Sequence, residues 1–282
     1  MKAIIMKESK IRMRSWKTVG MIMAYVTLLA LGVIIMLNSF LYNNNYELGE
    51  SYRSVYITLT VIQVLMISFI VPILTSGAIS LEREKQTLDI LLSTNLRPIS
   101  IVMGKLTTSI SMVLLLIIAS LPVFSFVLLF GGLDLLSILN MVLFYIVISF
   151  FFGSIGIFFS TLFKKTITSI VLTYLVMIFL TIGTFVITFI YIETKQKYML
   201  YDNNTFWLLY INPGLTFWSI LIKQFGDIQN IYDIIGNNKY FWIISTSLFS
   251  IFSACLIFAS AYILNPIRKV TKKTKNLRTN MS

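Results

Sequence analysis

The sequence predicts an all-α membrane protein with six transmembrane helices, and three observations carry that reading. Of its 282 residues, 57% are apolar and only 12% are charged. A soluble domain carries roughly 25% charged residues because its surface faces water, so much of this chain's surface faces something else. Apolar runs near 19–41, 55–79, 106–130, 135–162, 167–192 and 241–264 each reach about 20 residues or more. At 1.5 Å per helical residue that length matches a hydrocarbon core of roughly 30 Å.

The third observation is where the basic residues lie. Segments 1–18, 80–105, 163–166 and 265–282 hold 6, 4, 2 and 6 Lys or Arg residues, 18 of the 23 in the chain. Segments 42–54, 131–134 and 193–240 hold only Arg53, Lys195, Lys197, Lys223 and Lys239. Lys and Arg bias marks the cytoplasmic side, which places both termini inside. The net charge of +12 is therefore a topology signal, and nucleic acid is not an expected partner.

The elements follow in order. Lys7, Lys10, Arg14 and Lys17 recur at helical spacing and form a basic stripe, with Ile4 and Ile11 elsewhere on the same helix. The run beginning at Val19 continues to about Leu41, beyond the 7–15 residues of a signal-peptide core. It also lacks a small-residue exit, so it is a retained span. Pro72 and Pro122 can kink their helices, and Gly153-Ser154-Ile155-Gly156 allows close helix approach, within the chain rather than at a dimer seam. The run Phe150-Phe151-Phe152 reads as lipid-facing filler. Cys255 has no partner, so no internal disulfide forms.

A seventh span over 205–222 is rejected. Asn212-Pro213-Gly214 breaks the helix into pieces too short to cross, and a seventh crossing would carry the tail from Arg268 to Lys273 outside. The segment 193–240 instead predicts short interfacial or re-entrant helices on the outer face. Trp207, Tyr210 and Trp218 suit headgroup level. Phe206, Leu209, Phe217 and Ile220 should be buried rather than left in water.

The spans are as informative for what they lack. The chain has no His, and no span carries Asp, Glu, Lys or Arg at its middle; Asp134 sits at an outer edge and Gln63 is the most polar central side chain. A proton relay and a Ser-His-Asp site are thereby excluded. A phosphate-binding loop is absent too, since Leu106 follows Gly104-Lys105 and Ile99 stands where the first Gly belongs. No cofactor is expected in this chain, and uphill transport would draw its energy from another one.

Residues 80–105, SLEREKQTLDILLSTNLRPISIVMGK, differ from the rest. Good helix formers from Leu81 to Leu92, with acidic residues early, predict one amphipathic helix. Leu81, Lys85, Leu88 and Leu92 would share one face, and Glu82, Gln86, Asp89 and Ser93 another. Three carboxylates, Glu82, Glu84 and Asp89, argue against an anionic-lipid binder and for a protein partner with basic groups of its own.

Ser80-Leu81-Glu82-Arg83-Glu84-Lys85-Gln86-Thr87-Leu88-Asp89-Ile90-Leu91-Leu92, followed by Pro98 and Gly104-Lys105, resembles the permease subunit of ABC-2 type transporters. Where that family usually has Gly after the first acidic cluster, this chain has Gln86. The resemblance extends to the six spans, the basic N-terminal helix and the folded outer segment. It implies a single transmembrane domain over 1–282, working as a dimer with an identical or homologous permease and bound to two ATPase subunits that hold the ATP and Mg. It also implies that helix 81–92 is a coupling helix seated in a cleft of the ATPase, with contacts from Glu82, Arg83, Glu84, Thr87, Leu88, Asp89 and Leu92, and that the N-terminal helix lies on the inner membrane surface. The expected function is an exporter subunit in a bacterial cytoplasmic membrane, moving an amphipathic or apolar cargo such as a peptide, lipid or drug. The competing class is a motor-less channel, facilitator or scaffold. An ATPase encoded beside this chain would separate the two.

The topology is directly testable. Membrane-impermeant thiol labelling of intact cells should modify a cysteine placed at Asn204 or Asn237 and miss one at Thr274, in a Cys255→Ser background. Labelling at Thr274 would refute the inside tail.

Overall fold

The computed structural model describes residues 16–42, 48–93, 97–131, 134–197, 207–225 and 240–265. Among these the chain is helical throughout its regular elements. They run α1 Trp16–Tyr42, α2 Leu48–Ser76, α3 Ser80–Glu84, α4 Leu88–Ser93, α5 Pro98–Gly131 and α6 Leu135–Leu162. A long interrupted helix follows: α7 Thr166–Ile178, a π-turn at Phe179–Gly183, and α8 Thr184–Lys197. A 3-10 turn at Trp207–Ile211, α9 Pro213–Phe225 and α10 Phe241–Leu264 complete it. Five stretches are long and apolar enough to cross a membrane: Arg53–Glu84, Pro98–Ser125, Leu135–Leu162, Thr166–Tyr191 and Phe241–Leu264. A shorter apolar stretch, Val19–Ile35, lies in α1. The basic stripe at Lys7, Lys10 and Arg14, the tail beyond Asn265, and Phe206 lie outside the described residues.

Helix α5 begins earlier than expected. Residues 98–105, which the sequence reads as part of the connecting segment, are already helical. Pro98 takes the first helical position, where its fixed φ suits the helix and its missing N–H costs nothing. The carbonyl of Arg97 then accepts Ser100 N–H at 2.9 Å.

Helix α6 is the centre of the bundle, packing against α2, α5, α7 and α10. It has no lipid stripe over most of its length: Phe144, Tyr145, Ile148, Phe151, Phe152 and Ile155 are all buried. The Phe run is therefore core rather than filler, as Phe151 stacks on Phe249 of α10 with ring centroids 4.8 Å apart. Ring-on-ring contact of this kind buries a large apolar area against a matching surface, which lipid chains do less well. Gln63 is buried in α2 and accepts the Tyr25 hydroxyl of α1, so the one central amide is spent on joining two helices.

The small-residue patch works within the chain. A Cβ added at Gly156 would lie 2.1 Å from Thr75 Oγ1 and 3.1 Å from the Ser76 backbone nitrogen. Only the missing side chain lets α6 and α2 approach this closely. At Gly153 the nearest atom to an added Cβ is Leu106 Cδ1 of α5, 3.0 Å away, so that contact is with a flexible end.

The break at Asn212-Pro213-Gly214 also appears as expected. Asn212 caps α9, its Oδ1 accepting Gly214 N–H at 2.8 Å and Leu215 N–H at 3.1 Å. Its Nδ2 donates to the Thr181 carbonyl at 2.9 Å and to Thr184 Oγ1 at 2.8 Å. Thr181 lies within the π-turn, where the widened helix leaves its carbonyl within reach of a side chain. Leu209, Phe217 and Ile220 are buried, and Phe217 stacks on Phe144. Gln224 of α9 donates to the carbonyl of Ser137 at 2.8 Å, near the start of α6. The α9 layer thus covers one end of the bundle, and α3 lies at the other.

Gly156→Ala should lower stability by about 1–3 kcal/mol, the usual cost of overpacking, because the obstruction includes backbone. Gly20→Ala, with nothing within 4 Å of the added methyl, should be neutral or slightly stabilising. Thermal unfolding of the two variants in one detergent compares them.

Candidate functional site

The segment between α2 and α5 is built as a clasp over the ends of its neighbours. The predicted single helix from Leu81 to Leu92 is two helices, α3 and α4, separated by a turn at Lys85 and Gln86. Gln86 has φ +58°, the left-handed region that L side chains enter at a cost of roughly 1–2 kcal/mol. Two hydrogen bonds close the turn: Thr87 N–H to the Glu82 carbonyl at 2.9 Å and Gln86 N–H to the Arg83 carbonyl at 3.2 Å. That pair defines a Schellman motif with Gln86 in the position that favours glycine. The Gly-to-Gln departure noted in the sequence therefore falls at the pivot of the loop. Helix propensity pointed to a continuous helix because every residue there is a fair helix former. The stop comes from the turn's own geometry and from what α3 must reach.

Each charged side chain of Glu82-Arg83-Glu84 reaches a different helix. Glu82 accepts from Lys105 Nζ of α5 at 2.5 Å, with side-chain exposures of 24% and 8%. Breaking a pair this far from water would strand a charge, which typically costs about 3–5 kcal/mol when burial is complete. Arg83 donates from Nη1 to the Phe163 carbonyl at 3.1 Å and from Nη2 to the Thr161 carbonyl at 3.0 Å. Those carbonyls belong to the end of α6, where intrahelical partners run out and a cation is favoured. Glu84 does the converse for α7. One carboxylate oxygen accepts Thr166 N–H at 2.8 Å and the other accepts Thr166 Oγ1 at 2.9 Å. The carboxylate thereby caps a helix start more than 80 residues away, where a negative charge is favoured. The Thr166 backbone bond, then its hydroxyl bond, hold Glu84's carboxyl below its ordinary value, with Lys165's charge adding to them.

Ser160 of α6 supplies a further tie. Its Oγ accepts both Ile79 N–H and Ser80 N–H at 2.9 Å, satisfying the start of α3. Apolar side chains hold the loop from beneath. Leu88 is buried with Ile79, Ile101, Val102, Leu106 and Ile257, and Leu92 packs against the same group. Leu88 was expected to face a partner; it faces this chain's own core instead, because the turn at Gln86 rotates α4 relative to α3. Asp89's side chain lies outside the described residues. Among the described side chains of the loop, Leu81 is 43% exposed, and Glu84, Lys85, Gln86, Thr87 and Ser93 are exposed too.

Sequence reasoning singled out Glu82, Arg83, Glu84 and Lys105 but not their shared intramolecular use. It missed Ser160, for which the sequence carries no signal. Thr166 could have been found, since Thr just before an apolar run is a helix-start signature.

A bundle of long apolar helices, tied at one end by charged caps and covered at the other by a short-helix layer, defines a multi-pass membrane protein. The family profile of the ABC-2 family transporter proteins matches residues 2–267, and the chain belongs to that family. Its members are membrane transport subunits that generally work with an ABC ATPase. No curated protein matches the chain.

Two measurements test the clasp. Because Glu84's folded carboxyl is depressed, its stabilising contribution is complete above the ordinary value of about 4.3 and disappears as pH falls below it through the depressed value. Thermal unfolding should show that acid limb in the wild type and a flatter one in Glu84→Gln. At the turn, Gln86→Gly should raise stability by about 0.5–1 kcal/mol and Gln86→Val should lower it, since β-branched residues tolerate positive φ worst.

Proposed function

We propose that this chain is the membrane-spanning subunit of an ATP-driven exporter in a bacterial cytoplasmic membrane. The ATPase is a separate chain that supplies ATP and Mg chemistry, and it docks on the loop between α2 and α5. The permease acts as a dimer, with a second copy or a homologous chain. Both termini and the α3–α4 loop face the cytoplasm, while α9 lies on the outer side. The cargo is amphipathic or apolar, in keeping with spans that carry no central charge.

The observation that carries this reading is the tie between the loop and three span ends. A push on α3 is delivered to α5 through Lys105, to α6 through Arg83 and Ser160, and to α7 through Glu84. A loose loop resting on headgroups would need none of these. The implied partner contacts divide accordingly. Glu82, Arg83 and Glu84 transmit force by holding the turn, and Leu88 and Leu92 seat it. Thr87 joins Leu81, Lys85 and Gln86 on the docking face.

Leu81→Asn should weaken co-purification of the co-encoded ATPase and reduce substrate-stimulated hydrolysis, by up to a few kcal/mol if the side chain fills a pocket. Membrane abundance should stay at the wild-type level, because Leu81 is exposed and outside the clasp. Wild-type association and hydrolysis in this variant would remove the loop from the docking surface.

A further inference from the structure

The polarity of the docking face is the reverse of what the sequence suggests. Three carboxylates in the loop point to a basic partner, yet two of them are spent inside the chain: Glu82 on Lys105, and Glu84 on the start of α7. The bend at Phe163–Lys165 lies directly against them, fastened on one side by Arg83 to the Phe163 carbonyl and on the other by Glu84 to Thr166. That fastening joins the bend carrying exposed Lys164 and Lys165 to the turn that carries exposed Lys85. Lys85 and Lys164 form no ion pair among the described residues.

Resting on the permease reading above, we infer that the ATPase surface receiving this loop is acidic, and that Lys85 and Lys164 steer it. The partner is a protein face carrying carboxylates around an apolar recess for Leu81. An anionic lipid surface fits less well. The turn is held rigidly by its Schellman bonds and by Arg83's bonds to the Thr161 and Phe163 carbonyls. Lysines serving lipid need no fixed turn, whereas a shaped protein recess does. Exposed charges of this kind act mainly on encounter rate and specificity.

The test uses the full-length chain in nanodiscs of neutral phosphatidylcholine, and in parallel nanodiscs containing anionic phosphatidylglycerol, with the purified co-encoded ATPase as the probe. Lys85→Glu combined with Lys164→Glu should raise the ATPase Kd by about tenfold at 0.1 M salt in both lipids, mostly through a slower on-rate. The difference should shrink at 0.5 M salt, where screening reaches within a few ångströms. Lys223→Glu, at the opposite end of the bundle, should leave the Kd unchanged and guards against a general loss of charge. Lys165 is left intact because it neighbours the Glu84 cap. Wild-type affinity in the double variant, or tighter binding, overturns the inference while leaving the permease reading in place. A loss confined to anionic nanodiscs also overturns it and assigns the lysines to lipid. Failure of the wild type to bind the ATPase in either lipid overturns the permease reading itself, and this inference with it.

Discussion

Backbone groups at the ends of membrane helices are the constraint on which this structure turns. Each helix start leaves N–H groups and each helix end leaves carbonyls without intrahelical partners, and an apolar bundle offers them little water. Here α6 ends, α7 begins and α3 begins within a few residues of one another in space. A single short segment answers all three. Arg83 covers the carbonyls, Glu84 and Ser160 cover the N–H groups, and each charge also matches the helix dipole it faces. The three consecutive charges of Glu82-Arg83-Glu84 are thus explained by alternation of need: an anion for α5's lysine, a cation for the carbonyl end of α6, and an anion for the amide start of α7.

That arrangement fixes what the loop can do. A turn joined to α5, α6 and α7 by an ion pair and side-chain hydrogen bonds is held to the ends of three helices at once. Its stiffness has a local cost at Gln86, held in left-handed conformation without the freedom of glycine. The bonds to Glu82 and Arg83 carbonyls, and the buried Leu88 below, over-determine the turn and keep it there.

The far end of the bundle follows the same logic with neutral groups. Asn212 is one amide with four uses: two to cap α9 and two to fasten it to α7–α8 at the π-turn. Between the two ends, the core is aromatic and close-packed, with Gly156 permitting α2 to touch α6 at Thr75. Both ends of the protein therefore have specific polar fasteners, and the middle relies mainly on shape, with the Tyr25–Gln63 hydrogen bond joining α1 to α2.

The sequence by itself determined the apolar spans, the break at Asn212-Pro213-Gly214 and the family. These depend on run length, composition and local backbone chemistry, all of which are written along the chain. It misjudged Phe151 and Phe152, because an apolar side chain facing lipid and one facing core look the same in a sequence whose surroundings are both apolar. It misjudged Leu88 and the continuity of helix 81–92 for a related reason: propensity describes each residue alone, and the turn at Gln86 is set by contacts with Ser160, Thr161, Phe163 and Thr166, which lie some 80 residues away. Only the tertiary structure brought those helix ends together. Once they met, Glu82, Arg83 and Glu84 had partners inside the chain.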